Sequence, residues 1–177
     1  MDDQAARAKR PATALAGPYG HPLHPALVAL PIGAWISSLI FDIGSRVVDD
    51  GAFLVGGSRW LIAIGVLGAL VAAVFGFLDL LAIPRRTPAF STALLHMSLN
   101  LAVVVAYAIN FLIRDPDDPA VPWAPLVLSV VSLAALSASG WLGGKLAYHY
   151  GVRVADEATQ AEGFRTAARA GTPVGGP

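Results

Sequence analysis

The chain contains no cysteine. Disulfides, thiolate zinc sites, iron–sulfur clusters held by Cys and Cys nucleophiles are therefore excluded. Charge is scarce too. Only 14% of the 177 residues are Asp, Glu, Lys or Arg, against about 25% in a soluble domain. The 12 basic and 12 acidic residues cancel, so no net field favours nucleic acid, and none is expected as a partner. No strand pattern is evident, so no Gly-rich phosphate cradle opens a helix after a strand. The serines at 37, 38, 129, 132, 137 and 139 have no base nearby in sequence, which makes hydrolase chemistry a poor reading. What the chain has in quantity is apolar surface: 55% of residues are hydrophobic and the mean hydropathy is +0.62. This composition predicts a protein whose first partner is the lipid bilayer.

A lipid-spanning helix needs about 20 mostly apolar residues. Four stretches qualify: Pro25–Gly44, Trp60–Ile83, Phe90–Ile113 and Trp123–Ala147. Backbone groups in hydrocarbon must be satisfied within the segment, so each is a helix. None has a polar face to meet water, which argues against a soluble bundle. The fold predicted is all-α, a membrane-embedded four-helix bundle over residues 19–154, with flexible tails at 1–18 and 155–177. The first twenty residues have no apolar core and do not read as a signal peptide. No matching motif marks an internal repeat. Arg7, Lys9, Arg10, Arg85, Arg86, Lys145 and Arg153 collect on one side, against Arg46, Arg59 and Arg114 on the other. That bias predicts cytoplasmic N and C termini. Trp60 and Trp123 then fall in the outer aromatic belt, Tyr148 and Tyr150 in the inner one, with Trp35 and Trp141 deeper.

Gly68, Ala72 and Gly76 recur at i+4 on the second helix, as do Gly140 and Gly144 on the fourth, beside Ser139 and Gly143. Small residues at this spacing let helices approach closely in lipid. Packing inside one bundle is the first reading; a homo-oligomer face is the second.

The polar residues converge on the cytoplasmic side. His21 and His24 lie at the entrance to the first helix, Asp79 near the end of the second, His96 near the start of the third and His149 past the end of the fourth. Asp79 and His96 flank one hairpin, each about 6–10 Å below the interface at 1.5 Å per residue. A carboxylate at that depth is costly without a partner. His96 and Asn100 are i, i+4 and share a face. In Gly20-His21-Pro22-Leu23-His24-Pro25 each His precedes a Pro, which favours extended geometry at both, with Pro25 opening the helix. Pro31 cannot donate to the carbonyl of Leu27, which invites a kink at the same end.

The sharp reading is a metal site built on His21, His24, Asp79, His96 and His149, with Asn100 contacting a bound cofactor. Imidazole and carboxylate suit a transition-metal ion; two imidazoles on different helices suit haem b, gripped from opposite faces. The plainer reading is a polar clasp in which Asp79 bonds His96 and Asn100. A third is a proton or cation path through Asp79. Asp42 is expected to pair with Arg46 at i+4. Asn110 and the Asp cluster at 115–118 read as a solvated loop, and Pro116 and Pro119 break any calcium-loop template.

Leu30-Pro31-Ile32-Gly33 and Phe41-Asp42 after the His-Pro segment, Gly76-Phe77-Leu78-Asp79 with Ile83-Pro84, His96-Met97-Ser98-Leu99-Asn100, and Gly143-Gly144-Lys145-Leu146-Ala147-Tyr148-His149-Tyr150-Gly151-Val152 form a recognisable set. Over residues 19 to 154 it resembles a bacterial membrane family, the domain of unknown function 2231. The resemblance implies a four-helix, multi-pass protein of the cell inner membrane, and it places His21, His24, Asp79, His96, Asn100 and His149 in the family's motif. Some members look fused to Rieske-type iron–sulfur domains, which implies electron transfer and a redox partner protein. This chain has no such domain. The family supplies a fold and an address, not an activity.

Overall fold

The computed structural model describes residues 6, 8–11, 13, 17 and 21–164. Most of the expected N-terminal tail, and the chain from 165 onwards, lie outside the described residues. Four spans are long and apolar enough to cross a membrane: Leu23–Gly44, Ala52–Ala82, Pro88–Leu112 and Trp123–His149. The first is broken into α1 (Leu23–Leu27) and α2 (Ala29–Gly44), with Val28 between them. The break falls where Pro31 leaves the Leu27 carbonyl without a helical donor. The other spans are α3 (Ala52–Ala82), α4 (Pro88–Leu112) and α5 (Trp123–Gly144), the last running into a π-helical turn, Lys145–His149. A short α6 (Glu157–Glu162) follows, within the stretch expected as a tail, capped by the Asp156 carboxylate on Thr159 N–H.

One local expectation is corrected. His24 precedes Pro25 yet lies in α1, with Pro22 as the extended N-cap. Pro25 occupies the first turn, where a missing N–H leaves no helical bond unmade.

The spans form a ring. α2 packs on α3, α3 on α4, α4 on α5 and α5 back on α2. Spans one and three therefore face each other diagonally, as do two and four. Contacts between these elements repeat at fixed intervals. His24 and His96, Trp35 and Tyr107, and Asp42 and Arg114 are each 72 residues apart, and each pair meets across the bundle. The partners on spans two and four repeat at 67: His24 reaches Ala72 O where His96 reaches Ser139 O, and Trp35 reaches Ile62 O where Tyr107 reaches Ser129 O. The two hairpins are thus equivalent halves, related by an approximate two-fold along the bundle. The repeat lies in contacts rather than motifs, which is why the residue string does not display it. Trp and Tyr, Asp and Arg, or Ala and Ser hold equivalent places with little likeness of letters.

The interior is small and polar for a helical bundle. Ser38, Ser58, Ser129, Ser132 and Ser139 are buried, while Phe53, Leu67, Val74 and Trp141 face outward. Lipid tails are as apolar as leucine, so close packing and interhelical polar contacts hold such helices together. Gly65, Gly68 and Gly76 lie against Trp35, Leu30 and His24, in keeping with packing inside the bundle, whereas a side chain at Gly140 would meet open space. Trp35 is buried, stacked on Tyr107 at 4.3 Å with planes 6° apart; Trp141 is exposed rather than deep.

Candidate functional site

At one end of the bundle the His24 and His96 rings meet edge-on across the pseudo-two-fold, with centroids 6.3 Å apart and planes at 89°. His24 Nδ1 lies 2.9 Å from Ala72 O, and His96 Nδ1 lies 2.8 Å from Ser139 O. A carbonyl oxygen only accepts, so each ring donates from Nδ1, and Nε2 is the bare nitrogen of the neutral ring; Ser139 Oγ also lies 3.0 Å from His96 Nδ1. Each imidazole is anchored to the other helix of its own hairpin.

Glycine makes room for both rings. A Cβ at Gly76 would stand 2.9 Å from the His24 ring, and one at Gly143 would stand 3.2 Å from the His96 ring. These two glycines are equivalent under the repeat. Around this level the four spans contribute His24, Gly76, His96 and Gly143 in turn. The i+4 run of small residues on the second helix, and the glycines flanking Ser139 on the fourth, thus include a seat for an imidazole on each.

Asn100 supports His96. Its amide donates to His96 O and to Ser139 Oγ, both at 2.8 Å, and stands 3.2 Å from His96 Nε2. With Nδ1 as the donor to Ser139 O, His96 Nε2 is the acceptor of that third contact, so the Asn100 amide partly occupies it.

The remaining predicted ligands lie elsewhere. Among the described residues no group of three or more His, Asp or Glu side chains is placed to hold a metal ion. His21 and His149 are exposed, with His149 on the π-helical turn against the Tyr150 ring at 4.8 Å. Asp79 pairs with Arg153, Nε to Oδ1 2.9 Å, and not with His96 or Asn100. That pair is possible because the chain reverses after the π-helical turn. Gly151 and Arg153 both take positive φ, 67° and 59°, and Arg153 N donates to Ala8 O at 3.0 Å. The five-residue ligand set thus reduces to two imidazoles, with Asn100 beside one of them.

The opposite end holds a cluster that sequence reasoning misassigned. Asp42 does not pair with Arg46. It pairs with Arg114 in a bidentate fork, NH1–Oδ1 and NH2–Oδ2 both 2.7 Å, with the two side chains 1% and 0% exposed. Arg114 also donates to Asn110 Oδ1 at 2.6 Å, Ser58 Oγ at 3.0 Å and Ser129 Oγ at 3.3 Å. Ser58 Oγ donates to Asp42 Oδ1, and Asn110 donates to Pro125 O and Ser129 Oγ. All four spans or their ends are joined. Asn110, expected in a solvated loop, is fully buried. Arg46 instead donates to Val121 O at 2.6 Å and lies 3.8 Å over the Trp123 ring. A carboxylate near one end of the first span and a guanidinium at the same end of the third are the signal that could have found the pair; the nearer Arg46 masked it.

A bundle of four apolar spans with this end-to-end layout matches one family model, described as a predicted membrane protein (DUF2231), over residues 20–156. The chain belongs to that family and is a multi-pass membrane protein. No curated protein and no solved structure matches it.

Proposed function

We propose that this protein holds a redox-active metal centre, a transition-metal ion or haem iron, at His24 and His96, and uses it to carry electrons to or from a redox partner protein. One observation carries the reading: two equivalent imidazoles, each fixed by an Nδ1–H bond to a backbone carbonyl, meet across the bundle with ring centroids 6.3 Å apart. Metal-binding histidines are oriented in this way, by donating the other ring N–H to a carbonyl or carboxylate. Asp79 and Arg153 lie at the same end of the bundle and tie α3 to the chain beyond the π-helical turn. The Lys/Arg bias supports cytoplasmic termini, and with them a cytoplasmic position for this end of the bundle; the membrane we propose is the cell inner membrane.

A second reading is a passive accessory subunit. The Asp42–Arg114 and Asp79–Arg153 pairs favour it, because they join the two hairpins without help from the imidazoles.

Metal analysis and an optical spectrum of the detergent-purified protein separate the two. The first reading expects one metal centre per chain, lost in both His24→Ala and His96→Ala. Purified protein with neither a stoichiometric metal nor a haem absorption band overturns it and leaves the accessory reading.

A further inference from the structure

We infer that a cavity at the other end of the bundle binds a membrane phospholipid by its headgroup, with the phosphodiester on Arg59 and a headgroup ammonium towards the Asp115–Asp118 loop. The site lies outside both the imidazole pair and the Asp42–Arg114 cluster, so it stands or falls independently of the metal reading.

Arg59 has no anion of its own. Among the described residues the ion pairs are Asp42–Arg114 and Asp79–Arg153. The Arg59 guanidinium instead lies over the Phe111 ring, with Cζ 4.3 Å from the centroid, and its Nε is buried without a hydrogen-bond partner among the described residues. A buried donor left without an acceptor costs free energy. An aromatic ring takes the flat side of a guanidinium, while the N–H edge of the fork matches the two oxygens of a phosphate.

Beside Arg59 is a cavity of about 120 Å³, lined by Gly56, Arg59, Trp60, Phe111 and Pro116. A cavity of about 150 Å³ holds one benzene, so this space suits a headgroup rather than a large cofactor. Gly56 helps to open it, since a Cβ there would meet nothing within 4 Å. The two-fold repeat does not require such a site. The shift of 67 residues puts Trp123 at the place of Gly56 and Leu126 at that of Arg59. The shift of 72 puts Leu39 at the place of Phe111. One half of the bundle thus has a cation beside a missing side chain where the other half has a leucine beside a tryptophan.

Depth points to lipid as the source of the phosphate. α3 ends at Ala82, next to the Pro84–Pro88 hairpin. Arg59 stands about 35 Å along the helix from that end, at about 1.5 Å per residue. The hydrocarbon core is about 30 Å thick, so Arg59 falls at headgroup level. Trp60 beside it is exposed, and tryptophan favours that level of a bilayer.

Charge selects among lipids. Pro116, in the cavity wall, stands between Asp115 and Asp117, both exposed. Together with Asp49, Asp50 and Asp118, these carboxylates outnumber Arg46 and Arg59 at this end. Like charges brought together cost binding energy, so a net anion is disfavoured. A zwitterionic headgroup meets Arg59 with its phosphate and the acidic loop with its ammonium.

Native mass spectrometry of the full chain, delipidated in detergent and titrated with phosphatidylethanolamine, tests this. One lipid per chain is expected to bind more tightly than the rest. Arg59→Gln should weaken that lipid by roughly tenfold or more. Gly56→Leu, which keeps the charge and fills the cavity, should do the same. Arg85→Gln at the opposite end should leave it unchanged. Phosphatidylglycerol should bind more weakly, and excess inorganic phosphate should not displace the lipid. Unchanged binding in Gly56→Leu overturns the inference even where Arg59→Gln fails to fold. Displacement by inorganic phosphate marks a free-anion site and overturns the lipid. Tighter binding of phosphatidylglycerol overturns the pairing of ammonium with the acidic loop. None of these results moves the metal content of the His24→Ala and His96→Ala variants, so the two readings fail separately.

Discussion

The two ends of this bundle solve the problem of polar groups in a membrane in opposite ways. At one end Arg114 directs its donors at Asp42, Asn110, Ser58 and Ser129. The cluster is closed: carboxylate, guanidinium, amide and hydroxyls satisfy one another, and nothing is left over to bind a ligand. At the other end His24 and His96 are each fixed at Nδ1 on a backbone carbonyl, and the Asn100 amide also stands 3.2 Å from His96 Nε2. Equivalent positions on the same two spans thus build a charged lock at one end and a pair of imidazoles at the other. In the proposed reading it is the imidazole pair that receives a ligand.

Breaking the lock should have the largest effect. Arg114→Met leaves Asp42 buried and unpaired and is expected to cost about 3–5 kcal/mol of stability, read from denaturant unfolding in detergent. The paired replacement Asp42→Leu with Arg114→Met removes both charges and should recover most of that loss. If the single and double variants are equally damaged, the cluster matters for packing and not for charge.

The imidazoles should behave differently. His24→Ala removes one hydrogen bond within a hairpin, His96→Ala the ring's contacts with Ser139 O, Ser139 Oγ and Asn100 Nδ2, and each is expected to lower stability by only about 1–2 kcal/mol. Losses as large as that of Arg114→Met would make the imidazoles a structural clasp after all. Ser139→Ala is milder still. It removes the Oγ that Asn100 donates to and that contacts His96 Nδ1 and O, but leaves the carbonyl that holds His96, so about 0.6 kcal/mol is expected.

The smallest effect lies outside the membrane, at α6. The Asp156 carboxylate accepts from Thr159 N–H, and that bond holds its pKa below the ordinary 3.8. A depressed carboxylate contributes stability that is present above the unfolded value and lost as pH falls through the folded one. The protection of the α6 amides, measured against the unstructured exchange rate at the same pH, should therefore be the same at pH 8 and 6 and fall only below about pH 4. Asp156→Ala should remove that acid dependence.

Much of this was legible in the residue string, and what was not has a physical cause. Apolar run length alone identifies the spans, because a backbone in lipid has few options. The placing of His24, Asp79, His96 and Asn100 at one end follows from counting residues along antiparallel helices. Partner choice does not follow. Asp42 has a cation one turn away in Arg46 and another in Arg114 on a different span, and only the ring order of the helices decides between them. Asp79 likewise finds Arg153 because the chain turns back through two left-handed residues after a π-helical turn. Ser139, Gly76 and Gly143 read as packing residues, since a glycine that seats an imidazole and one that seats a neighbouring helix look alike in sequence. The two-fold repeat stayed hidden because its equivalent positions share geometry, not residue type.

The account depends most on the protonation of two rings. Histidine ¹⁵N shifts of the ligand-free protein in detergent micelles, assigned through His24→Ala and His96→Ala, read it directly. Both rings are predicted to carry a proton at Nδ1, the nitrogen that faces a backbone carbonyl, and to leave Nε2 bare when neutral. A proton at Nε2 on either ring, or a pair of freely exchanging tautomers, would contradict the account.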